Sequence, residues 1–227
     1  MRTILFSLRR LWVTDIALTT LLVFLLVYIF FIYPLGQIAS VRLIANLFFL
    51  VILVTGAIAA TGNRVFRTLV FSWSFLALVL LGVNHLFPHE AFLLARNSLS
   101  LFFLVLLTLF ILGQAFREGP TTSHRITGAV AAYLLLGLIW SLAYYLVELG
   151  IPGSFSLQGL PGDKETLHSH FFYFSFVTLT TLGYGDIVAV HPMARMLVIL
   201  EGVTGQLFPA ILISRLVSLH VQLKQKS

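Results

Sequence analysis

The chain has 227 residues, of which 59% are apolar and 10% charged. A soluble domain carries about 25% charged residues, so this balance excludes an ordinary water-soluble surface. The absence of cysteine excludes disulfides, iron–sulfur clusters and thiol catalysis. The net charge of +6 comes without any long Lys/Arg run and reads as membrane orientation, not as a nucleic-acid footprint.

A membrane span needs about 20 apolar residues at 1.5 Å rise each. Five segments qualify in the first two thirds of the chain: Leu11–Tyr33, Arg42–Thr61, Thr68–Phe87, Ala91–Phe116 and Ile126–Leu149. The first follows a basic start, Met1 to Arg10, but has no small-residue cleavage site behind it, so it is expected to be retained. A sixth span runs from Ala194 to Val221. Turn residues separate the spans at Tyr33-Pro34-Leu35-Gly36, Thr61-Gly62-Asn63-Arg64 and Phe87-Pro88-His89-Glu90. The strongest break, Gly119-Pro120-Thr121-Thr122-Ser123, divides residues 1–120 from residues 121–227.

Lys and Arg set the orientation. With the N-terminus inside, ten basic residues lie on the cytoplasmic side and four (Arg42, Arg96, Lys164 and Arg195) on or near the outer side. Six spans then leave both termini in the cytoplasm of a cell-membrane protein.

Between the fifth and sixth spans, Gly150 to Leu167 is polar and rich in Gly and Pro, an expected outer turret. His168 to Thr180 is apolar and aromatic but only 13 residues long, about 20 Å as a helix and too short to cross. Its flanks both lie outside, so the chain must dip in and return. Such backbone is tolerated only where it is buried in protein or lines water. It is followed by Thr180-Thr181-Leu182-Gly183-Tyr184-Gly185-Asp186. Two glycines alternating with larger residues allow alternating backbone conformations. Carbonyls aligned in that way replace the water shell of a dehydrated cation.

Ser169–Asp186 resembles the pore loop of the potassium channel family, whose usual filter is Thr-Val-Gly-Tyr-Gly. Leu182 stands here in place of the commoner Val. The resemblance extends over about Ile126–Val221 as outer helix, pore helix, filter and inner helix. It implies that the carbonyls of Thr181, Leu182, Gly183 and Tyr184, with the Thr181 hydroxyl, coordinate K+, and that Gly185 completes the filter. It implies that Thr180 ends a pore helix whose negative dipole end favours a cation. Asp186 would sit at the outer mouth, braced by Tyr173. In the inner helix Gly205 lies 19 residues after Asp186, the place of a hinge glycine in several members. Gly202 and Pro209 flank it, and a helical proline removes a hydrogen bond. Gln206 and Pro209 are expected to face the cavity. One filter per chain implies a homotetramer around a central pore in the lipid bilayer, with K+ as the permeant ion and no cofactor.

Glu201 lies several residues inside the last span, and an intramembrane acid marks function by default. It falls behind the filter, within expected reach of pore-helix groups. Six spans with the pore last resemble the voltage-gated plan. Stepping by three from Arg96, however, meets Leu99, Phe102, Val105, Thr108, Ile111 and Gln114 before Arg117. A voltage sensor needs about 3–4 charges per subunit, so the first four spans are expected to form a bundle without a working sensor. His168, His170 and His191 fall near the expected mouth with His85 and His89 on the same side; they read either as interfacial polar residues with no gating role or as groups whose protonation inhibits conduction when the external pH falls.

The fold class expected is therefore all-α: six transmembrane helices, a re-entrant pore helix and a filter loop, in a tetramer. The function expected is passive, potassium-selective conduction, with no catalysed reaction. The alternatives are a weakly selective cation channel, a transporter subunit, which would need four pore loops in one chain, and a non-conducting scaffold or modulator.

Overall fold

A computed structural model of the chain describes residues 17–33, 47–52, 54–56, 90–116, 123–159 and 164–226, with single helical positions at 44, 68, 72, 76 and 79. The expected loops at 34–36, 61–64, 87–89 and 119–122 lie outside the described residues, as does most of the third expected span.

Among the described residues the order is α1 (Ala17–Phe31), α2 (Leu47–Gly56), α3 (Glu90–Ala115), α4 (Ser123–Gly150), β1 (Phe155–Ser156), α5 (Lys164–Leu179), β2 (Val188–Ala189) and α6 (Pro192–Lys226). Three of these helices, α3, α4 and α6, are long and apolar enough to cross a membrane. The protein is a helical membrane protein. The end of α1 winds as a π-helix, Tyr28–Ile32.

The chain forms two compact units, one of residues 1–117 with 123–135, the other of 118–122 with 136–227. In the first, α1, α2, α3 and the start of α4 bury Leu21, Leu25, Ile52, Leu104, Leu107 and Ile111. Small residues set two close approaches there. A Cβ on Gly56 would come within 2.5 Å of Leu107, and Gly128 faces Leu18 and Ile111. Phe24 meets Phe48 edge-on at 5.5 Å.

The second unit holds the rest of α4 with α5 and α6. Its centre is Tyr144, fully buried and ringed by Trp140, Phe155, Phe171 and Phe174. Gly137 lets α4 press on α5, since a Cβ there would lie 2.6 Å from the Phe176 ring. The turret is folded back on the mouth by two short strands. Phe155 pairs with Ala189 and Ser156 with Val188, antiparallel. The Glu148 carboxylate accepts bonds from the Gly153 and Phe155 amides at 2.8 and 3.1 Å, fastening the turn after α4. At the start of α6, Pro192 occupies the first helical position, where its missing N–H costs nothing. His191 precedes it and accepts the Met193 amide on Nδ1 at 3.2 Å.

Candidate ion-conducting site

Helix α5 runs from Lys164, four residues earlier than the apolar pattern predicts, and stops at Leu179. The stop is local. Thr180 and Thr181 are β-branched, and Thr181 takes φ +61°, a left-handed conformation that ends a helix. Gly183 and Gly185 follow at φ +55° and +79°. Every second residue from Thr181 to Gly185 is thus left-handed, the alternation that turns successive carbonyls to one side.

The amides of this strand point back to the helix. Thr181 N–H bonds the Thr178 carbonyl at 2.9 Å, and the Leu182 and Gly183 amides share the Val177 carbonyl at 2.9 and 3.4 Å. Among the described residues no backbone amide bonds the carbonyls of Thr181, Leu182, Gly183 or Tyr184. The Gly185 carbonyl differs from these, since it accepts from Gln158 Nε2 at 2.9 Å. Thr180 Oγ1 turns back to the Phe176 carbonyl at 2.6 Å and caps the end of α5.

At the far end of the strand Asp186 Oδ1 accepts the Ile187 amide at 3.1 Å, and Tyr173 is close enough to interact electrostatically with the Asp186 carboxylate. Of the histidines, His168 packs edge-on against Tyr145 at 5.0 Å, and His191 serves the α6 terminus. His85 and His89 lie outside the described residues.

Behind the strand, Glu201 is completely buried. Ser175 on α5 donates to its Oε1 at 2.6 Å, and the Tyr144 hydroxyl on α4 donates to Oε2. Ser175 Oγ also lies 2.8 Å from the Gly137 carbonyl. One carboxyl group therefore ties α6 to both α4 and α5. Glu201→Leu leaves the buried Tyr144 hydroxyl without its acceptor, which costs about 1–3 kcal/mol. We expect a lower thermal midpoint in detergent, with Glu201→Gln between Leu and wild type. Equal midpoints for all three would remove the carboxyl from the account.

Helix α6 is unbroken through Gly202, Gly205 and Pro209. Gly205 is buried against the end of α5, and a Cβ there would sit 2.0 Å from the Leu179 carbonyl oxygen. Gly202 meets nothing within 4 Å. Pro209 has no N–H for the Gly205 carbonyl four residues back, so the helix is weakest where it touches α5. Gln206, one residue on, donates from Nε2 to Thr181 Oγ1 at 2.9 Å.

Three contributors escaped sequence reasoning. Gln158 sits in a turret of no regular pattern. Tyr144 reads as one more apolar residue of its span. Ser175 carried a signal, as the one small polar residue among the aromatic rings of Phe171–Val177.

Comparison with known proteins bears on this region. Residues 132–222 match the model of the ion channel family, against an expected pore region of Ile126–Val221. Two-pore potassium channel 4 of Arabidopsis thaliana is 35% identical over 111 residues, 48% of this chain and 39% of that protein. Two pore potassium channel b of Oryza sativa subsp. japonica is 36% identical over 83 residues, 36% of this chain and 20% of that protein. The inward rectifier potassium channel Kirbac3.1 of Paramagnetospirillum magnetotacticum is 34% identical over 86 residues, 36% of this chain and 25% of that protein. The chain thus spans well under half the length of each of these relatives. Residues 132–222 are similar to the ion channel family and lie in the region that resembles these potassium channels.

Proposed function

We propose that this protein is a potassium-selective channel in which Thr181–Gly185 of four identical subunits line the conduction path. The observation that carries the reading is the strand itself, with left-handed residues at alternate positions and four successive carbonyls left free by the backbone. Polar backbone of this kind at membrane depth is tolerated where it is buried in protein or lines water, and a ring of such carbonyls replaces the hydration shell of a cation. The relatives are named as potassium channels, which favours K+ over another cation.

A single strand supplies one side of a ring. Leu182 and Tyr184 are 59% and 68% exposed in one chain, and neighbouring copies would cover them. The apolar residues Ile199, Val203, Leu207 and Ile211 of α6 are exposed too, suited to lipid or to the same neighbours. Six spans with both termini cytoplasmic fit the distribution of Lys and Arg. Asp186, braced by Tyr173, would draw cations to the outer mouth. Gly205 and Pro209 would let α6 bend below the filter.

Purified protein in liposomes should pass K+ down its gradient. A scaffold would pass none, and a weakly selective channel would pass Na+ equally. Voltage should matter little. Moving one charge through the membrane field is worth about 2.3 kcal/mol per 100 mV, and Arg96 is the one basic residue of α3. A shallow conductance–voltage curve is expected. A steep curve that flattened on Arg96→Gln would contradict it.

A further inference from the structure

Gln206 is joined to the filter by geometry that its neighbours enforce. Gly205 brings the α6 backbone against the Leu179 carbonyl, closer than any side chain allows. That contact sets the next residue, Gln206, beside the first residue of the filter strand, and its Nε2 reaches Thr181 Oγ1 at 2.9 Å across 25 positions of sequence. Thr181 is also strained. It is a β-branched residue at φ +61°, where such residues are genuine outliers. A conformation of that kind persists only when its surroundings hold it.

We propose that Gln206 is a positioning residue for the innermost ion site, holding the Thr181 hydroxyl in the orientation that coordinates the permeant cation. A threonine hydroxyl has one hydrogen and two acceptor lone pairs. The Gln206 N–H occupies one lone pair and fixes the side-chain rotation. The other lone pair is left for a cation on the pore side. The carboxamide is neutral, so it orients the oxygen without adding charge that would trap the ion. Gln206 is exposed in one chain, so in four copies its carboxamide oxygen would be available as an acceptor to a hydrated cation arriving from below. The inference rests on the channel reading above.

The test is a double-mutant cycle between Gln206→Leu and Thr181→Ala, read as the K+ concentration giving half-maximal flux in liposomes. With Thr181 present, Gln206→Leu should raise that concentration at least about fivefold. Gln206→Asn, a methylene too short, should fall between Leu and wild type. In the Thr181→Ala background the same change should have less than about a twofold effect, because the hydroxyl on which it acts is gone. If Thr181→Ala passes no ions, the cycle is read instead on the K+ concentration giving half-maximal thermal stabilisation of the detergent-purified protein. Equal fold-changes in both backgrounds, or less than a twofold change with Thr181 intact, overturn the proposal while wild-type flux leaves the channel reading standing. A wild type that carries no K+ overturns both.

Discussion

Gly183→Ala is expected to abolish K+ conduction or selectivity while the protein still inserts in the membrane. Gly183 sits at φ +55°, in the left-handed region that costs an L-residue with a Cβ roughly 1–2 kcal/mol. Space is not the obstacle, because an added Cβ meets nothing within 4 Å in one chain. The penalty is conformational, and rotating the peptide out of this region relieves it. That rotation takes a carbonyl out of the line. In the proposed tetramer the strain would recur in each subunit, and about 1.4 kcal/mol is a tenfold change in rate. A loss of at least about a hundredfold in K+ flux is expected. Liposome flux with matched protein incorporation measures it. A mutant with wild-type K+ flux and unchanged preference over Na+ would remove Gly183 from the filter.

Gly205→Ala should act differently, through packing. The added Cβ would lie 2.0 Å from the Leu179 carbonyl oxygen and 2.9 Å from its carbon. Both belong to the backbone at the end of α5, so no side-chain rotation makes room. Helix α6 must move away from α5 by more than an ångström, or the mutant must fail to assemble. Overpacking of this kind costs about 1–3 kcal/mol and occasionally more. The displacement would also stretch the contact from Gln206 to Thr181. We expect a lowered thermal midpoint in detergent together with reduced K+ flux. A mutant with wild-type stability would show that α6 does not approach α5 as closely as described.

The backbone pattern of the candidate filter strand was legible in the sequence because it is local. Gly183 and Gly185 alternate with larger residues, and the strand follows an apolar stretch too short to span. Three of the six expected spans, α3, α4 and α6, were legible from length and hydropathy. Helices α3, α4 and α6 lie within a few residues of the expected limits, apart from the longer C-terminal end of α6. Helix α5 begins earlier than predicted because the polar residues Lys164, Glu165 and Thr166 extend it, and a hydropathy pattern cannot register a polar first turn. The β1–β2 pair was not legible. Two-residue strands have no periodicity, and their pairing joins positions 155 and 189.

The inner helix shows a similar division. An acid inside a span marked Glu201 as functional, but its tie to Tyr144 depends on residues 57 positions apart. Gly205 was read as a hinge because of its place in a family pattern. The structure adds a second reason for glycine, the contact with Leu179, which only folding creates. Gln206 was expected to face the cavity, and its bond to Thr181 comes from that same contact.

Selective passage of K+ along Thr181–Gly185 can be read from the reversal potential under bi-ionic conditions. Protein is reconstituted in a planar bilayer with K+ on one side and Na+ on the other. A tenfold preference for a singly charged ion displaces the reversal potential by about 59 mV. The expected reversal potential leaves the K+ side negative by at least about 120 mV, a hundredfold preference. A reversal potential near zero with measurable current, or no current from correctly inserted protein, would contradict it.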